Sequence, residues 1–240
     1  MPETAPQKVT LQGENVAYEV RQSDEATQPR IDVDIHGVRV VLPQKSTTDP
    51  DELLKENAAW VLEKKRKYDA YREQIPQREF EEGERFPYLG EQYEIVVEHR
   101  PASHVVENEF RLAKHHVEQT SIKRALETLY RRKARELFEK RANHFAEEMG
   151  VEYDKIEVRN QRTKWGSCST TGTLSLNWRL MMAPADVLDY IVIHELAHLR
   201  EQNHSDEFWS LVAEHDPEYT EHAEWLEENS TSLIFSTDDL

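Results

Sequence analysis

The sequence predicts an α+β protein: a small β-rich N-terminal module with one helix over residues 14–117, a helix-dominated domain over 118–228, and a loose tail over 229–240. Three observations lead there. The first part of the chain holds short stretches in which apolar and polar residues alternate, the pattern of half-buried strands. From about Thr120 to Met149 apolar residues recur at helical spacing without interruption. Past that, a nearly all-apolar helical stretch carries the pentapeptide His194-Glu195-Leu196-Ala197-His198.

Composition narrows the classes further. A chain of 240 residues can bury a real core, as one large domain or two small ones. The net charge is −17, with 32% of residues charged and 38% hydrophobic. Such acidity repels nucleic acid on average and suits a salt-rich solvent in which self-repulsion is screened. Cys168 is the sole cysteine, which excludes an intramolecular disulfide and a cysteine-based zinc finger. The N-terminus has no basic region and no apolar run, and no stretch reaches the roughly 18 apolar residues that span a bilayer. The expectation is a cytoplasmic protein without a membrane segment.

Residues 1 to 13 read as a polar lead-in. Val16–Val20, Arg30–Ile35 and Val38–Pro43 read as strands, with a turn at His36-Gly37. Asp49-Pro50-Asp51 opens a helix with an acidic first turn that runs through Trp60 to about Gln74. After a loop with Pro76, Gly83 and Pro87, Tyr93–Glu98 is a strand, and further short strands fill 103–117. The helix from Thr120 ends at Gly150, a good stop. It carries Lys123, Arg124, Arg131, Arg132, Lys133, Arg135, Lys140 and Arg141. This basic stretch, 123–141, reads as a solvated face with i,i+4 pairs to Glu127, Glu136 and Glu139, with a weak nucleic-acid contact as the functional alternative. Ile156–Arg159 is a strand, Arg162 to Ser169 a turn of small residues, and Thr173–Asn177 a strand with one wet side. Helices follow at Glu207–Val212 and Pro217–Leu226. No tandem repeat is visible.

The chemistry concentrates on the apolar helix that begins at Pro184. Residues four apart lie one above the other in a helix, so His194 and His198 project to the same side, two legs of a tetrahedral Zn²⁺ site. Glu195, one residue on, stands where the pattern H-E-x-x-H puts the base that deprotonates a metal-activated water. Two histidines and a glutamate in so apolar a helix are costly unless something satisfies them, and a metal does. His204 is the expected third ligand, at the first-to-third spacing of H-E-x-x-H-x-x-G-x-x-H zincins. Glu201 stands in place of the glycine, so the turn after His198 is expected from Gln202-Asn203, with Asn in a left-handed conformation. Glu214, His215, Glu218 and His222 lie downstream and read as a solvated acidic helix face.

Taken together, Arg162-x-x-Trp165-Gly166-Ser167-Cys168-Ser169, Asn177, Pro184, Asp189-Tyr190, His194-Glu195-x-x-His198 and Asn203-His204-Ser205-x-x-Phe208-Trp209 resemble the YgjP-like metallopeptidase domain, a family related to the WLM and SprT-like proteases. The likeness covers about residues 14 to 228. It implies a zincin-like catalytic domain with an HExxH helix, His194, His198 and His204 on zinc, and Glu195 as the base. It brings no known substrate, although WLM and SprT-like relatives cleave proteins crosslinked to DNA.

The function expected is therefore a zinc-dependent metallopeptidase acting on protein or peptide. In zincins the strand before the metal helix binds extended substrate by strand addition, which points here to Leu174, Ser175, Leu176 and Asn177. Tyr190, Arg162 and Lys164 are candidates for a second oxyanion donor, with Trp165 beside them. Cys168 reads as a small buried residue. Two other readings keep the zinc: a hydrolase of phosphate esters or anhydrides such as nucleotides, and a non-catalytic binding module closed by a fourth ligand.

Overall fold

In the computed structural model, which describes residues 6–161 and 164–236, the expected α+β character is present, and the chain divides into two compact units at Pro76/Gln77. The boundary expected at 117/118 falls inside the second unit. The reason is packing: Phe86, Ile95, Phe110 and Leu112, from the strands before that point, share one core with Leu126, Tyr130, Trp178 and Leu196.

The first unit holds β1 (Gln7–Leu11), β2 (Glu14–Ser23), β3 (Arg30–Asp34) and β4 (Gly37–Pro43) in one sheet of order β1-β2-β4-β3. The expected polar lead-in is thus a strand from Gln7 on, because Val9 and Leu11 bury their side chains on the sheet's inner face. Two helices cover that face, α1 (Pro50–Glu56) and α2 (Ala58–Glu73), where one was expected. Asp49 caps α1 by accepting from the Asp51 amide at 2.8 Å. The break is at Asn57, whose side chain turns back to the Leu53 carbonyl at 2.9 Å and competes with the helical ladder.

The second unit begins with β5 (Arg85–Tyr88), β6 (Glu91–Glu98), β7 (His104–Val106) and β8 (Glu109–Ala113), in the order β5-β6-β8-β7. Its design repeats that of the first sheet. In each, the first hairpin closes through a residue at φ near +50° followed by glycine, Gln12-Gly13 and Leu89-Gly90. Each central pair is parallel, with Tyr18 opposite Val38 in one and Ile95 opposite Phe110 in the other. Each last pair is antiparallel, with Val33 opposite Val38 and Val105 opposite Phe110. The repeat is one of register and hardly of residues, which hides it from the sequence: many apolar side chains fill an inward strand position equally well.

The segment at 114–117 is the start of a short helix, α3 (Lys114–Gln119), rather than strand. The long helix α4 (Ile122–Met149) is capped by Ser121, which accepts from the Arg124 amide at 3.2 Å. A three-stranded sheet follows: β9 (Lys155–Arg159), β10 (Gly166–Cys168) and β11 (Thr173–Asn177), in the order β10-β11-β9. Residues 166–168, expected within a turn, therefore form an edge strand. A 3-10 segment, Trp178–Met182, leads into α5 (Ala185–Ala197), then α6 (Asp206–His215) and α7 (Tyr219–Asn229). The Leu89 amide donates to the Met181 carbonyl at 2.8 Å, and a Cβ on Gly90 would come within 3.2 Å of Pro184, so the first hairpin of this unit seats the entry to α5.

The expected loose tail is packed at least to residue 236. Leu233, Ile234 and Phe235 are buried, and Phe235 lies among Phe80, Phe86, Tyr130 and Trp178 at ring separations of 5.0–5.9 Å. Arg78 holds the segment by donating to the Ser232 and Ile234 carbonyls at 2.8 and 2.5 Å. Among the described residues no helix is long and apolar enough to cross a membrane.

Candidate metal centre

Helix α5 is apolar on almost every side, and Val187, Leu188, Val192, Ile193, Leu196 and Ala197 are buried. It is tied to α4 by an ion pair between Asp189 and Arg141. His194 emerges from its last turn and His198 is its C-terminal cap. The ligand atoms of His194, His198 and His204 all lie within 4.8 Å of one another. The Nε2 atoms of His194 and His204 are 3.1 Å apart. Tetrahedral zinc with nitrogen at ~2.0–2.1 Å sets two such atoms about 3.3 Å apart, so the pair already has the spacing of a shared ion.

His204 arrives by a route that differs from the expected one. No residue from 199 to 204 has a positive φ. The end of α5 instead tightens through bonds from the Leu199 and Arg200 amides to the Leu196 and Ala197 carbonyls, both 3.0 Å. Asn203 accepts from the Ser205 amide at 2.8 Å, and Ser205 then caps α6 by accepting from the Phe208 amide at 3.5 Å. Phe208 is fully buried, with its ring 5.0, 4.6 and 4.7 Å from those of His194, His198 and His204. Trp209 stacks on His204 at 5.6 Å and on Tyr219 at 5.3 Å. The two aromatics form a wall behind the triad.

His194 and His198 are biased toward the neutral form that metal ligation requires. Burial, then repulsion by His198 and His204, brings the His194 pKa down to about 4. Burial lowers His198 as well, opposed by its contact with the Glu201 carbonyl. The His194 Nδ1 is buried and has no partner among the described residues. Glu195 is buried beside the triad, and burial pushes its carboxyl up to about 7 against the pull of Lys164 and of the Cys168 amide.

His194, Glu195, His198 and His204 line one cavity of about 450 Å³, closed on its other side by Lys164, Gly166, Ser167, Cys168, Ser169, Thr170 and Gln202. Gln202 comes from the loop after α5; the rest of this far wall is β10 and its flanks, the stretch expected as a turn, from which the candidate donor Lys164 does line the cavity. Its signal was the run of small residues at 166–169, which lets a strand approach a buried carboxylate. Cys168 is half-buried, packing against the core while lining the cavity; burial and the Glu195 charge push its thiol up to about 11, so it stays protonated.

Of the residues expected to bind substrate, Leu174, Leu176 and Asn177 are buried, and β11 is the central strand, paired with β10 on one side and β9 on the other. Leu174, Ser175, Leu176 and Asn177 therefore offer no free edge; among the described residues, β10 is unpaired on its outer side. Tyr190 is buried against the His194 ring at 5.8 Å and does not line the cavity. Trp165 is half-buried against the core, and its carbonyl accepts from the Asn177 amide at 2.8 Å. Arg162 lies outside the described residues. Downstream, His222 is not a solvated face residue: its Nδ1 is 2.9 Å from Asp216 Oδ2, and both side chains are nearly buried. Along α4, Arg124 and Arg131 pair with Glu127, Lys133 with Glu136, and Arg132 bonds the Ser103 carbonyl. Most of the basic stretch is thus engaged within its own unit.

The YgjP-like, metallopeptidase domain model matches residues 27–229. Among curated proteins no relative matches. Two crystal structures of metallopeptidase zymogens are similar to part of the chain, Pyrococcus abyssi abylysin at 26% identity and Methanocaldococcus jannaschii jannalysin at 24%. They cover 38% and 39% of this chain and 93% and 96% of their own, with TM-scores of 0.35 and 0.36.

Proposed function

The chain belongs to the YgjP-like metallopeptidase domain family, and on that premise we propose that it is a zinc-dependent peptidase with His194, His198 and His204 as ligands and Glu195 as general base. The observation that carries the proposal is the shared cavity: three converging imidazoles and one buried carboxylate open onto the same space. Among the described residues no fourth His, Cys, Asp or Glu joins the triad, which favours an open catalytic site over a closed structural one.

A zinc ion in this triad supplies a Lewis acid and lowers the pKa of a bound water toward about 7. The chain's own residues do the rest. His198 donates from Nδ1 to the Glu201 carbonyl, leaving Nε2 for the ion. Glu195, with a carboxyl near neutrality, takes the proton of the attacking water and passes it to the departing amine. An extended peptide adds as a strand along the outer edge of β10, unpaired among the described residues, through its main-chain groups other than the Cys168 amide, which Glu195 engages.

The test is proteolysis of an unfolded protein by wild type, by Glu195→Gln and by wild type freed of metal with a chelator, beside a nucleotide-hydrolysis assay. Cleavage by wild type alone, restored by adding zinc and without nucleotide turnover, is the expected result. Cleavage that survives in Glu195→Gln would remove the base from the mechanism.

A further inference from the structure

The reading above gives Glu195 its task; the far wall of the cavity shows what sets its position. Gly166 is the first residue of β10. Its φ lies outside the left-handed region, so the backbone does not call for glycine there. What calls for it is space. A Cβ built on Gly166 would meet Glu195 three times over: Oε1 at 2.5 Å, Cγ at 2.7 Å and Cδ at 2.8 Å. All three of its nearest neighbours belong to that one side chain. The Cys168 amide, two residues along the same strand, donates to the Glu195 carboxylate.

We infer that Gly166 is a positioning residue for Glu195: the missing side chain is the slot in which the carboxylate lies, and the Cys168 amide fixes it there. The groups that would give way to a methyl at 166 are the outer atoms of a side chain, not backbone. Gly166→Ala therefore displaces the base and leaves the fold and the histidines in place. A misplacement on the order of 1 Å is enough to cost about 10²-fold in rate.

The experiment is a double-mutant cycle with Gly166→Ala, Glu195→Asp and the two combined. It reads zinc per chain, the thermal midpoint of the metal-free protein, and kcat and KM on an unstructured quenched peptide. Gly166→Ala should retain zinc and fold, with kcat reduced roughly 10²-fold and KM little changed. If Gly166 acts through Glu195, shortening a carboxylate that is already displaced adds little, so Glu195→Asp should cost much less in the Gly166→Ala background than in wild type. Wild-type kcat in Gly166→Ala, or losses that simply multiply, would overturn the inference. Should Gly166→Ala not fold, Gly166→Ala/Glu195→Ala decides: folding in the double variant shows that the space belongs to Glu195, and failure of both shows that it does not. Should wild type cleave no peptide, the peptidase reading falls, and the midpoints alone report on the slot: a midpoint for Gly166→Ala/Glu195→Ala no lower than that of Glu195→Ala upholds it, and a lower one overturns it.

Discussion

The Nδ1 of His198 lies 3.2 Å from the carbonyl oxygen of Glu201, the residue that stands where a related spacing pattern has glycine. The contact directs the free Nε2 of His198 toward the other two imidazoles. It also shows how a non-glycine turn serves the site, because the main chain of Glu201 does the work and its side chain is free to vary.

Removing the third imidazole should remove the ion. Wild type is expected to hold one zinc per chain after dialysis, and His204→Ala to lose 10- to 100-fold or more in zinc affinity, since two imidazoles remain of three ligands. Elemental analysis checks this. Full retention in the variant would move the third ligand elsewhere.

The metal-free protein should show two opposed pH dependences. His194 is lowered from 6.5 to about 4, so between those values the unfolded chain binds the extra proton and stability rises with pH. Glu195 is raised from 4.5 to about 7, so the folded chain holds the extra proton there and stability falls as pH rises through that window. The two slopes largely offset between pH 4.5 and 6.5. Glu195→Gln removes the second. Chelated Glu195→Gln should therefore gain thermal midpoint more steeply with rising pH across this window than chelated wild type. Identical slopes would contradict the assignment.

Phe235 belongs to the core. It is 1% exposed and touches four aromatic rings, so Phe235→Ala should destabilise the protein by about 3–5 kcal/mol. Denaturant unfolding measures it, and a change below about 1 kcal/mol would return the segment to the status of a loose tail.

With a net charge of −17, the fold should tighten in salt. Raising KCl from ~0.1 to ~1 M shortens the Debye length from about 10 to about 3 Å and screens the self-repulsion. The thermal midpoint should rise; an unchanged or falling midpoint would show that local ion pairs outweigh the net charge.

Much was legible beforehand, and for local reasons. The alternation at Val16–Val20 and the stripe along α4 are periodicities, and periodicity reports which face of an element is buried. His194, Glu195 and His198 were readable because a helix fixes what residues at i, i+1 and i+4 share. The break at Asn57, the packed tail around Phe235 and the matched registers of the two sheets were not. Each depends on what a segment meets in space, which no local pattern encodes.

The sequence by itself nominated the three histidines and the glutamate as candidates, since helical geometry and one fixed spacing suffice for that. Only the tertiary structure decided which strand faces them. Leu174 to Asn177 precedes the metal helix in the chain and looked like the substrate strand, yet it is sealed between β9 and β10. The edge strand that lines the cavity is Gly166–Cys168, because strand order is set by pairing across the sheet and not by order along the chain. The same packing brings Gly166 against Glu195, 29 residues away in sequence, where the want of a side chain leaves room for the buried carboxylate.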